Sequence, residues 1–193
     1  MTNNQIELIA TRVLQKYVAR GGAFKQFENI IKSEQIKYKE VNSQNKNFVG
    51  AFTKGNNNQL YIMVNQKVFN EGRKNFTIAH ELGHYFLNHQ LKTNTFYCFD
   101  NEILENDFHQ DEIENEANYF ATCLLMPEEK LTNAFKSILN NSSRGRIKDY
   151  LSVTKSTYGI WCGIKDQLTK RYGVSEEALR YRLKMLGLAD FYK

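Results

Sequence analysis

Phe76-Thr77-Ile78-Ala79-His80-Glu81-Leu82-Gly83-His84-Tyr85-Phe86 is the stretch on which the reading of this chain turns. Phe76, Ala79, Leu82 and Phe86 recur at helical spacing, which predicts a helix over about 71–88 with Asn70 as its N-cap. Residues four apart on a helix share a face one turn apart, so His80 and His84 can offer imidazole nitrogens to one ion from a rigid platform. Neutral imidazole suits Zn²⁺ at about 2.0–2.1 Å. Glu81 follows the first histidine by one residue, which puts its carboxylate within reach of a water on the ion rather than of the ion itself. Composition alone would generate this spacing roughly 0.006 times in a chain of this make-up, so the match is specific. The competing reading is a helix with two surface histidines.

A zinc site that does hydrolysis needs a third protein ligand and an open fourth position. Asp111-Glu112-Ile113-Glu114-Asn115-Glu116-Ala117-Asn118-Tyr119-Phe120-Ala121 offers three glutamates on a helix predicted over 112–125, which Met126-Pro127 ends. Glu114 shares its face with the small residues Ala117, Asn118 and Ala121, and that face can approach the first helix closely at Gly83. Glu116 shares its face with Tyr119, Phe120 and Cys123, which would hold two helices further apart. Asn118, four residues after Glu114, can hydrogen-bond a metal-bound histidine and fix its tautomer. Glu114 is therefore the preferred ligand and Glu116 the reserve. Asp111-x-x-Glu114 also fits a capping box, in which Glu114 would merely close the first turn. His89 falls at the end of the histidine helix, where a cation suits the dipole. His109 reads as a solvated loop histidine or an aid to an oxyanion.

Further out, apolar spacing predicts helices over 6–20, stopped by Gly21-Gly22, and over 24–33. Strand patterns cover 36–41, 48–53 and 60–65. The turn material Lys54-Gly55-Asn56-Asn57-Asn58 joins the last two as an antiparallel hairpin. The strand at 60–65 is a candidate edge for an extended substrate. Residues 90–107 read as a loop, and Asn140 to Arg146 as a linker. Two short helices follow at 164–171 and 175–186, broken at Tyr172-Gly173-Val174, with Ser175 as an N-cap. The expected fold is α+β: a helical metallopeptidase core over 1–140 with a small antiparallel sheet, then a small basic helical region over 141–193.

The 193 residues, 41% apolar and 13% aromatic, describe a globular chain with a core of its own. Net charge is +5, unevenly placed: residues 1–140 carry 15 Lys and Arg against 16 Asp and Glu, whereas 141–193 carry 11 against 5. That basic tail could touch nucleic acid or an acidic partner. Cys98, Cys123 and Cys162 are odd in number with no Cys-x-x-Cys pair, and read as free thiols in a reducing compartment. With no span-length apolar run and no signal-peptide pattern at the start, the expected location is the cytoplasm, with no membrane partner.

Phe76-Thr77-Ile78-Ala79-His80-Glu81-Leu82-Gly83-His84, then Glu114-x-Glu116-Ala117-Asn118-x-Phe120-Ala121 and Leu124-Leu125-Met126-Pro127, strongly resemble the ImmA/IrrE metallopeptidases. The strand ending Val64-Asn65 and the tail from Tyr172 to Leu183 fit as well. The resemblance covers residues 60–127 well and 164–188 more loosely. A longer stretch between Met-Pro and the tail, about 131–158, departs from it. The resemblance implies a thermolysin-like zinc site in a bacterial or mobile-element regulator. It also implies a protein substrate, a helix-turn-helix repressor whose cleavage switches on silenced genes in a mobile element or a stress response.

Two other classes compete. The tail could be a helix-turn-helix that binds DNA, making the chain a transcription regulator with a peptidase-like core. Glu176 and Glu177 speak against it, because they occupy the first turn of the would-be recognition helix, where phosphates repel carboxylates. A non-catalytic, metal-dependent protein-binding module would have little need of Glu81.

Overall fold

The computed structural model describes residues 1–17, 23–89, 95–99 and 112–192. They form α1 (Asn3–Tyr17), α2 (Ala23–Ser33), β1 (Lys37–Val41), β2 (Phe48–Lys54), β3 (Leu60–Asn65), α3 (Glu71–Phe86), β4 (Thr95–Phe99), α4 (Glu112–Leu125), α5 (Glu128–Ser142), β5 (Leu151–Val153), α6 (Tyr158–Tyr172), α7 (Glu176–Met185) and β6 (Ala189–Phe191). The chain divides into two compact units, Met1–Leu125 and Met126–Lys193. The class is α+β, as the sequence implies. The boundary expected at 140/141 lies inside α5, which belongs to the second unit.

In the first unit a four-stranded sheet runs in the order β1-β3-β2-β4. β2 and β3 pair antiparallel around a tight turn in which Asn57 and Asn58 take the left-handed conformation (φ 59° and 61°), one that asparagine tolerates better than most residues. β1 joins β3 in parallel, with Lys37 opposite Tyr61 and Val41 opposite Asn65. Two expectations are thereby corrected. The sheet is mixed rather than antiparallel, and β3 is an inner strand paired on both sides, so it cannot accept a substrate at its edge. Among the described residues β1 and β4 are the edges, and β4 falls where a loop was expected.

The helices close over this sheet by burying one stripe each. α1 buries Ile6, Ala10, Val13 and Tyr17 and packs against α4, where Glu7 Oε2 accepts from Cys123 Sγ at 2.9 Å and from the Tyr119 hydroxyl at 3.4 Å. α3 is more deeply placed. Every residue from Asn75 to His84 is buried, because β2 and β3 cover one side of the helix and α4 the other. A helix covered all round is the arrangement that can hold polar side chains away from bulk water, provided each is answered by a neighbour.

The second unit packs α5 on α6, turns through Gly173 in the left-handed conformation (φ 61°), and caps α7 with Ser175, whose side chain accepts from the Ala178 amide at 3.2 Å. β5 and β6 pair in parallel, Leu151 opposite Ala189. Arg182 is fully buried, and its Nε donates to the Met126 carbonyl at 3.1 Å, tying α7 to the start of the unit. All three cysteines are free thiols. Among the described residues no helix is long and apolar enough to cross a membrane.

Candidate metal centre

α3 begins as its sequence dictates: the Asn70 side chain accepts from the Arg73 amide at 3.0 Å. Three residues before its end, Gly83 lets α4 come close. A Cβ built on Gly83 would lie 3.1 Å from both Cα and the carbonyl oxygen of Ala117 and 3.3 Å from Phe120. That approach is what the small face of α4 allows, and it carries Glu114 onto the histidines.

The result is a tight triangle of donor atoms. His80 Nε2 and His84 Nε2 are 3.0 Å apart. Glu114 Oε2 lies 3.0 Å from the first and Oε1 3.4 Å from the second. Ligand atoms bonded to one tetrahedral ion at about 2.0–2.1 Å stand roughly 3.3–3.4 Å from each other, so this donor set fits such an ion. The histidine side chains are 2% and 1% exposed and Glu114 is 14% exposed, so the triangle is largely shielded from solvent.

Electrostatics point the same way. Burial alone would drive the His80 imidazolium out, yet the hydrogen bond to Glu114 and the charges of Glu81 and Glu114 outweigh it and raise the pKa. Burial would raise Glu114 too, but its contacts with both histidines hold it well below the usual carboxylate range. Both shifts report a buried site that calls for positive charge. His80 Nδ1 lies 2.8 Å from Asn118 Oδ1, an acceptor, so the ring carries its proton on Nδ1 and leaves Nε2 as a lone pair facing the triangle.

Glu81 is fully buried, and one donor atom from each of His80, Glu81 and His84 lies within 4.8 Å of the others. Two glutamates thus compete for the third position. Glu114 brings one oxygen to within 3.0 Å of His80 Nε2 and the other to within 3.4 Å of His84 Nε2, and Glu81 is the carboxylate grouped with the two histidines on α3 itself. β2 makes the room for Glu81. A Cβ on Gly50 would lie 2.4 Å from Thr77 Cγ2 and 3.3 Å from Glu81 Oε1, so only glycine lets the strand pass beside the carboxylate.

Residues 33–184 match the peptidase family described as the IrrE N-terminal-like domain. The chain belongs to that family. Within the wider relationship it is 34% identical over 96 residues to metallopeptidase ImmA of Bacillus subtilis (strain 168), a stretch covering 49% of this chain and 50% of the relative. Among solved structures, a Mycobacterium tuberculosis transcriptional regulator superposes with a TM-score of 0.59 at 18% identity, covering 94% of this chain and 48% of that one. At that identity the likeness shows the fold alone. The chain therefore spans about half the length of these relatives.

In this IrrE N-terminal-like domain the structure brings together His80, Glu81, His84, Glu114 and Asn118. Glu116 stays out of the triangle: its Oε2 lies 3.1 Å from His89 Nε2. His89 is corrected as well. Burial and the neighbouring His84 push its pKa down to about 4, so it is neutral rather than a cation at the helix end. Tyr85, beside His84 in sequence, donates to Glu34 at 2.6 Å, and burial and that contact push its pKa up to about 12. Gly50 was invisible to helical spacing, since only the sheet register sets it against Glu81. His109, Asp111 and the bulk of the loop expected at 90–107 lie outside the described residues.

Proposed function

We propose that this chain is a zinc-dependent endopeptidase that acts in the cytoplasm on one regulatory protein, a helix-turn-helix repressor, whose cleavage releases silenced genes. The observation that carries the peptidase reading is the convergence of His80 Nε2, His84 Nε2 and Glu114 with Glu81 buried beside them. Zinc bound there supplies Lewis acidity, which activates water and polarises a scissile carbonyl. Glu81 is the general base: its carboxylate takes a proton from the attacking water and delivers it to the departing amine nitrogen. Asn118 holds the His80 ring in one tautomer.

The substrate class rests on the resemblance to the ImmA/IrrE metallopeptidases. It gains support from a relative named a metallopeptidase and a fold neighbour named a transcriptional regulator. Direct DNA reading by the tail has less behind it. Glu176, in the first turn of α7, accepts from Trp161 Nε1 at 3.2 Å and pairs with Lys165 at 3.3 Å, while Arg182 is turned wholly inward. The helix face that would enter a groove is thus acidic at its tip, where phosphates would repel it.

The test compares wild type with Glu81→Gln for metal content and for cleavage of the repressor encoded nearby. About one zinc in each, with cleavage by wild type alone, is the expected result. Zinc-free wild type or equal cleavage by both would sink the peptidase reading.

A further inference from the structure

The two histidines of the triangle are oriented by different devices. His80 leans on an amide. His84 Nδ1 instead lies 3.0 Å from His89 Nδ1, and His89 Nε2 lies 3.1 Å from Glu116 Oε2. His89 is 6% exposed and Glu116 16%, so the run is shielded from solvent. The end of α3 builds it. Asn88 takes the left-handed conformation (φ 56°), the Asn88 amide donates to the Tyr85 carbonyl at 3.1 Å, and the His89 amide donates to the His84 carbonyl at 3.0 Å. This is the Schellman pattern of a helix stop, and here it folds the chain back so that the residue after the turn lies against His84.

The proton positions follow from chemistry. A carboxylate only accepts, so His89 Nε2 carries a proton. His84 turns Nε2 toward the triangle, so as a ligand it carries its proton on Nδ1, and across the 3.0 Å contact His89 Nδ1 is the acceptor. Nε2 is then the nitrogen that His84 turns toward Glu114 and His80. With the opposite tautomer, Nε2 would carry a hydrogen and could not donate to an ion.

We propose that His84, His89 and Glu116 form a relay in which the carboxylate acts through one histidine to fix the tautomer and ring orientation of the other as a metal donor. His89 and Glu116 are positioning residues, and neither touches substrate. The inference rests on the reading of His84 as a ligand. Outer partners of this kind typically change metal affinity by about 10–100-fold.

Two measurements test it. Long-range ¹H–¹⁵N spectra of metal-free wild type read the tautomers directly: the relay requires Nδ1–H on His84 and Nε2–H on His89. Nε2–H on His84 overturns it. In competition with a chelator, His89→Phe should bind zinc about 10–100-fold more weakly than wild type. His89→Asn, which keeps an acceptor near Nδ1 but loses the donor to Glu116, should fall between the two. Glu116→Gln should lose several-fold, and less than His89→Phe. Unchanged affinity in folded His89→Phe overturns the relay even though wild type binds zinc. Wild type that binds no zinc overturns the ligand reading instead, and the tautomers of the metal-free protein still decide the relay. If His89→Phe fails to fold, His89→Asn and the wild-type spectra carry the decision.

Discussion

α3 with α4 and α6 with α7 are built from the same parts. Each first helix has an interior glycine, Gly83 or Gly163, and each second helix opens with glutamates in its first turn, Glu112 and Glu114 or Glu176 and Glu177. They are put to opposite uses. At Gly83 an added methyl would lie 3.1 Å from the α4 backbone, whereas one added at Gly163 would meet nothing within 4 Å. Glu114 meets two imidazole nitrogens of a buried histidine pair, whereas Glu176 meets an indole N–H and an ammonium. A first-turn carboxylate thus faces a candidate metal site or braces a neighbouring helix according to what lies opposite it. The helix it sits on carries no mark of which.

The largest expected effect is on metal. Glu114→Gln should lower zinc affinity by more than the ~100-fold upper range of outer partners and abolish cleavage, while Glu176→Ala should leave both unchanged and lower stability by about 1 kcal/mol. Chelator competition beside denaturant titration reads both, and an equal loss of zinc in the two variants would break the contrast. Removing zinc comes next. At a free concentration about 100 times its Kd the ion stabilises the folded form by about 2.7 kcal/mol, so chelation should lower the melting temperature. Hydrogen exchange should then quicken in α3 and α4 and stay unchanged in α6 and α7; uniform quickening would mean the ion supports the whole chain.

The smallest effects have opposite signs. Gly83→Ala should destabilise by about 1–3 kcal/mol and weaken zinc binding, because the methyl pushes Ala117 and with it Glu114 outward. Gly163→Ala should stabilise by about 0.5–1 kcal/mol, since a helix interior with open space gains from losing glycine's backbone freedom. Thermal unfolding of the two variants checks both. Equal signs would show that the close approach at Gly83 does not set the site.

What was legible in the sequence was local. His80, Glu81 and His84 are fixed by the helical repeat, and Asn70 and Ser175 cap the helices they were expected to cap. Glu114 was reachable because residue size along one helix face predicts how near another helix can come. The failures came from partners distant in sequence. β3 looked like an edge because its parallel neighbour β1 lies beyond its hairpin, and parallel pairing leaves no turn signal between the strands. β4, β5 and β6 are five, three and three residues long, too short for alternation to stand out. His89 was placed at the helix end correctly, but burial and the neighbouring His84, which helical spacing does not show, hold its pKa down.

On the proposed relay, the turn at Asn88 would tie a bound ion's residence time to the shortest-lived part of a helix. Helix ends open far more often than helix middles, and each opening of the last turn of α3 would release His89 from His84. Ion escape would then keep time with one turn's fraying rather than with unfolding of the unit, and position 88 becomes a clock setting: glycine, which takes the left-handed conformation without strain, slows the loss, and a β-branched residue hastens it.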